Sequence, residues 1–157
     1  MTEVVETRHL SPASVSPDAT ERLLRWLLAA GADELSVRVR ALRDEPAALA
    51  DAFEDALAPF ALPNAPRPVL ADAEHADGTR EVRLWVLSDE SITALAPFLT
   101  RGLFHHEAGP AGWLEDLTVY RAGELVLGVV THEQEGVLRL TPDEHAEVAV
   151  IGVLGAS

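Results

Sequence analysis

The chain has 157 residues, 48% apolar and 24% charged, which is the composition of one soluble globular domain, expected to span 1–157. It holds no cysteine and no lysine, so all 12 basic residues are arginine. That excludes a thiolate nucleophile, cysteine-ligated zinc, a Schiff-base lysine and any phosphate loop that needs lysine. Twenty-six carboxylates set the formal net charge at −14, a field that repels nucleic acid and anionic lipid and steers a basic partner.

An Ala, Leu, Arg and Val-rich vocabulary nearly free of Lys, Asn, Gln and Cys reads as the codon bias of a GC-rich bacterial genome. The first residues, Met-Thr-Glu-Val-Val-Glu-Thr-Arg, form neither a basic nor an apolar leader, and no apolar run approaches the roughly 18 residues that cross a bilayer. A cytoplasmic protein with no membrane partner is expected.

In chain order, residues 3–9 read as a short edge strand. Ser16 as N-cap, Pro17 in the first turn, the stripe Leu23, Leu24, Leu27, Leu28 and a stop at Gly31 predict a helix over 17–30. Alternation of Leu35, Val37, Val39 and Ala41 predicts a half-buried strand over 35–42. Leu49, Phe53 and Leu57 mark a second helix that opens at Asp44 or Glu45 and meets Pro59. Prolines 63, 66 and 68 join Pro59 in making 59–79 an extended, irregular loop.

A strand over 80–87 puts Val82, Leu84 and Val86 on one side and Arg83, Trp85 and Leu87 on the other. A third helix starts near Ser88 or Asp89 and is bent or ended by Pro97. After a loop over 103–112, Trp113–Tyr120 and Glu124–His132 predict a hairpin. With Gly123 closing a three-residue turn, Leu117, Val119, Leu125, Leu127 and Val129 would share one face. A strand at 137–140 and the capping box Thr141-Pro142-Asp143-Glu144, opening a helix to about Ile151, complete the chain. Together these elements predict an α+β, mixed α/β fold: a two-layer sandwich with a mainly antiparallel sheet, helices on one face, a C-terminal hairpin meander and a final helix.

Two constellations carry candidate chemistry. If the strands at 35–42 and 80–87 are neighbours, Arg38, Arg40, Arg83 and Trp85 cluster on the face away from the helices. Arginine beside tryptophan offers stacking and bidentate carboxylate recognition, the chemistry of an interaction surface. The second is His106, His132 and Glu133, with His105 or Glu107 as a fourth group, whose imidazoles and carboxylates suit a divalent metal. The acidic run 72–78 fails the spacing of a calcium loop. No Gly-x-Ser-x-Gly elbow and no dinucleotide or phosphate loop is present, and no cofactor is expected. The expected function is a non-enzymatic protein–protein interaction or self-association module, regulatory or immunity-like, whose partner is a basic protein or a second copy. The alternative is a metal-dependent hydrolase or metal-binding protein built on the His/Glu set.

Overall fold

Hydroxyl caps and prolines set the helix ends in the computed structural model, which describes residues 4–10, 16–40, 48–70, 76–99 and 113–151. Helix α1 (Pro17–Ala29) opens with Ser16 Oγ accepting from the Ala19 N–H at 3.2 Å and stops before Gly31, whose φ is 100°. Reciprocal capping boxes open α3 (Asp89–Leu95), from Ser88 and Ser91, and α4 (Pro142–Val148), from Thr141 and Glu144. Helix α2 (Ala48–Leu57) and α3 end on the same pentapeptide, Ala-Leu-Ala-Pro-Phe, at 56–60 and 94–98. In both, the proline falls in a closing 3-10 turn, Ala58–Phe60 and Ala96–Phe98, where its missing N–H is tolerated.

The strands are β1 (Glu6–His9), β2 (Glu34–Arg40), β3 (Ala61–Leu70), β4 (Ala76–Val86), β5 (Trp113–Arg121), β6 (Glu124–Val130) and β7 (Glu135–Leu140). They form one antiparallel sheet in the order β1-β7-β6-β5-β2-β4-β3. The helices pack on one face, making the expected α+β sandwich. Leu23, Leu24 and Leu27 of α1, Phe53 and Leu57 of α2, Ile92 and Leu95 of α3 and Val148 of α4 close over inward residues of the sheet. Phe53 stands at their centre, edge-on to Trp85 at 5.4 Å and to Phe98 at 5.5 Å between ring centroids.

Two expectations are corrected. Residues 61–70 and 76–79 are paired strand, not loop. Strand β3 lies at the sheet edge, and Pro66 and Pro68, two residues apart, lack their donors on the same side, so the other side still pairs with β4. The β5–β6 turn is the two-residue Ala122-Gly123, with φ of 51° and 80°, and Arg121 opposite Glu124. Both positive angles are those of a type I′ turn, whose twist matches the strands. The register then shifts between Val119 and Tyr120, which turns Leu125 away from the helices to join Tyr120 on the opposite face.

That opposite face is also covered. Strands β2 and β4 pair only at Glu34 with Val86 and Leu35 with Trp85, so the rest of β4 departs with β3 as a two-stranded arm. The arm leans back over β5 and β6 and closes a second, smaller core of Leu84, Tyr120, Leu125 and Val137 with Leu62 and Leu70.

Candidate functional site: a cleft beneath the arm

Three contacts clamp the arm to the sheet. The Arg67 guanidinium forks onto Glu34 at 2.8 and 2.9 Å. The Tyr120 hydroxyl donates to the Pro68 carbonyl at 2.9 Å. Leu70 lies against Gly128, where a Cβ would come within 2.4 Å of Leu70 Cδ1, so the missing side chain is what lets the strands cross. Burial pushes the Tyr120 phenol up to about 12, with Arg67 pulling the other way and Glu34 adding to the rise. The phenol therefore stays a neutral donor to the arm and is no acid or base at ordinary pH.

Beyond the clamps, the divergence of β2 from β4 leaves a cleft of about 430 Å³, within the about 300–1,000 Å³ of ligand pockets. Ser36 and Arg38 of β2, Arg80 and Val82 of β4, and Asp116 and Thr118 of β5 are among its lining residues. Continuing the β2–β4 register would set Arg38 opposite Val82; instead both face the cleft. Beyond Leu35, no described strand pairs with β2 on its β4 side. Arg38 is exposed and has no hydrogen-bond or ion-pair partner among the described residues.

The floor is shaped by a bulge in β5. Asp116 has φ 56°, a left-handed conformation that costs a non-glycine residue about 1–3 kcal/mol and must be held by its surroundings. Thr131, wholly buried, holds it: the Asp116 N–H donates to Thr131 Oγ1 at 2.8 Å, and Asp116 Oδ1 accepts from the Thr131 N–H at 3.0 Å. Thr118 Oγ1 donates to the Asp116 carbonyl at 3.2 Å. One extra residue thus puts Asp116 and Thr118 together at the cleft, a use of bulges common beside binding sites.

The sheet separates the arginine–tryptophan quartet expected on one open face. Arg38 faces the cleft. Trp85 is 1% exposed and sits in the helix-side core, and Arg83, on the same side, forks onto Glu54 of α2 and stacks 4.7 Å from the Trp85 ring centroid. Arg83 and Glu54 lock α2 onto β4, and the same pairing holds the Glu54 carboxyl below its usual range. On β4 the row with Val82 and Leu84, the more apolar of the two, packs in the arm-side core, while the row with Arg83 and Trp85 faces the helices. The Arg40 backbone pairs with Trp113, and its side chain lies outside the described residues.

Of the metal candidates, His105, His106 and Glu107 lie outside the described residues, as does the side chain of His132. Glu133 is exposed in the turn after β6. Among the described residues, no group of three His, Asp or Glu could hold a metal ion.

Ser36, Arg80, Asp116 and Thr118 were not singled out by sequence reasoning. A signal existed: inward residues of β5 step from Leu114 to Leu117 and then to Val119, and a step of three inside a period of two marks a bulge. A second hollow, of about 540 Å³, lies between α1 and α3 above Leu24, Ile92 and Leu99. Its cation, Arg25, is already tied to Asp89 at 2.9 Å and Thr93 at 3.2 Å. The cleft, with Arg38 unengaged, is the stronger site. No protein-family model, curated protein or solved structure matches this chain.

Proposed function

We propose that the protein is a non-enzymatic binding module that takes an extended segment of a partner protein into the cleft beneath the arm. The observation that carries this reading is the gap itself: β2 runs on past Leu35 without a described strand on its β4 side, beside an unpaired Arg38. An exposed strand edge offers a row of backbone donors and acceptors to an incoming strand. Val82 and Val130 supply apolar contact, while the Arg38 fork takes an acidic side chain of that segment. The remaining surface of the partner is basic, because the −14 charge of the chain steers such a surface toward it at long range. No helix among the described residues is long and apolar enough to cross a membrane.

A displayed library of random peptides selected on the wild-type protein tests this, with selected sequences then measured against Arg38→Glu and Arg83→Ala. Acidic, β-prone peptides should be enriched, lose at least tenfold in affinity on Arg38→Glu, and be unaffected by Arg83→Ala. Failure to enrich any family of sequences, or binding indifferent to Arg38, would overturn the reading.

A further inference from the structure

The sheet has two edges, and they are built differently. The β3 edge carries Pro63, Pro66 and Pro68, residues that blunt a strand against pairing. The β1 edge carries no proline, and among the described residues no strand pairs with its outer side. Val4 and Val5, immediately before it, are 72% and 54% exposed.

Backbone direction along β1 follows from its pairing with β7. Glu6 faces Leu140, Arg8 faces Leu138, and the Leu10 N–H donates to the Gly136 carbonyl at 2.9 Å. His145 of α4 also contacts the Glu6 carbonyl, with Nε2 at 2.8 Å. In an antiparallel ladder alternate residues bond to the same neighbour, so the even positions serve β7. The N–H and C=O groups of Val5, Thr7 and His9 point outward.

We infer that the protein forms a two-fold symmetric dimer by antiparallel pairing of β1 with β1 of a second copy, centred on Thr7. The outward groups limit the register to a few choices, and charge selects among them. Centring on Thr7 sets Thr7 opposite itself, Val5 opposite His9, and Glu6 opposite Arg8 twice over. A shift toward the N-terminus that keeps the outward groups paired sets Glu6 opposite Glu6; the corresponding shift the other way sets Arg8 opposite Arg8. Directly opposed like charges destabilise a strand pair, and opposite charges stabilise it. Glu6 and Arg8 already meet within one strand, at 3.3 Å and with nearly half of each side chain exposed, so both can redirect across the two-fold axis. The pairing is isologous, as closed dimers require, and joins the two sheets into one.

Sedimentation of the full chain over a concentration series reads the dimer, and charge reversal tests the register. Glu6→Arg opposes Arg to Arg, Arg8→Glu opposes Glu to Glu, and each should weaken self-association at least tenfold. Mixing the two variants should restore a heterodimer, because each strand then meets its opposite charge. Thr7→Pro removes an outward donor while leaving the β7 ladder bonded, and should abolish the dimer with circular dichroism unchanged. A wild-type protein that stays monomeric up to about 1 mM overturns the inference. So do charge variants that dimerise as wild type, or a mixture that fails to associate. Arg38→Glu should leave the dimer intact, which separates this contact from the cleft.

Discussion

The helix face and the arm face of the sheet are closed by different means. On the helix face, side chains spaced three and four apart on four helices meet an alternating row of strand residues, with Phe53 edge-on to Trp85 and Phe98 at the middle. On the arm face a few contacts suffice: a guanidinium fork, one phenol and one missing side chain. The first closure is distributed and apolar and buries the larger of the two cores. The second is local and polar, so single groups decide whether the arm is down and the cleft formed. Phe53→Ala should therefore cost the most, about 3–5 kcal/mol in urea unfolding, through lost transfer energy and the cavity left behind. A smaller loss would mean that Trp85 and Phe98 collapse into the space.

Alkali attacks the other face. The Tyr120 phenol holds its proton up to about 12 in the folded chain, against 10.0 when solvated, so the folded state binds more proton in that window. Stability from this source is complete below about pH 10 and is lost as pH rises toward 12, by about 2–3 kcal/mol. The chain has no lysine, no cysteine and no second tyrosine, so no other side-chain type titrates across that interval. Tyr120→Phe should remove the alkaline slope. It should also cost about 1–2 kcal/mol at neutral pH, since the Pro68 carbonyl loses its donor. A slope that survives the substitution would show that the phenol is not what holds the arm.

Gly128→Val tests the arm by bulk. A Cβ there would stand 2.9 Å from Leu70 Cγ and 2.4 Å from its Cδ1, so Leu70 must move and the end of β3 must lift. Overpacking of this kind costs about 1–3 kcal/mol. Peptide binding in the cleft should fall while the aromatic circular dichroism of the helix-side cluster is retained. Loss of both signals together would mean that the two faces fold as one cooperative unit.

The same contrast explains what could be read from the sequence. The stripe Leu23, Leu24, Leu27 between Ser16 and Gly31, and the capping box at Thr141, are signals carried within one turn of helix, and α1 and α4 appear where they predict. The arm contacts join residues far apart in the chain, Tyr120 with Pro68 and Arg67 with Glu34, and no local pattern encodes such a pairing. The prolines of β3 suggested a loop because proline weakens a central strand, a penalty that disappears at an edge. Arg38 was singled out, but Asp116 and Thr118 beside it depend on a bulge that a strict alternation reading passes over.

The smallest expected effect falls at the rim of the helix face and has the opposite pH sense to that of Tyr120. Arg121 of β5 holds Glu144 at 2.6 and 3.2 Å and also reaches the Ala30 carbonyl at the end of α1, tying the hairpin turn to two helices. The Arg121 guanidinium first, opposed by burial and aided by the Thr141 N–H, holds the Glu144 carboxyl down at about 2 against the usual 4.5. The unfolded state then binds more proton in this window, so the contribution is complete above about pH 4.5 and is lost as pH falls through 2. Because the pair is open to water, screening should keep the effect under about 1 kcal/mol. Glu144→Gln retains an acceptor for the cap but not the charge, so its stability difference from wild type should shrink as the pH is lowered from 5 to about 2. A constant difference across that range would assign Glu144 to capping alone. A shrinking one would give acid and alkali separate points of attack, the helix rim and the arm clamp.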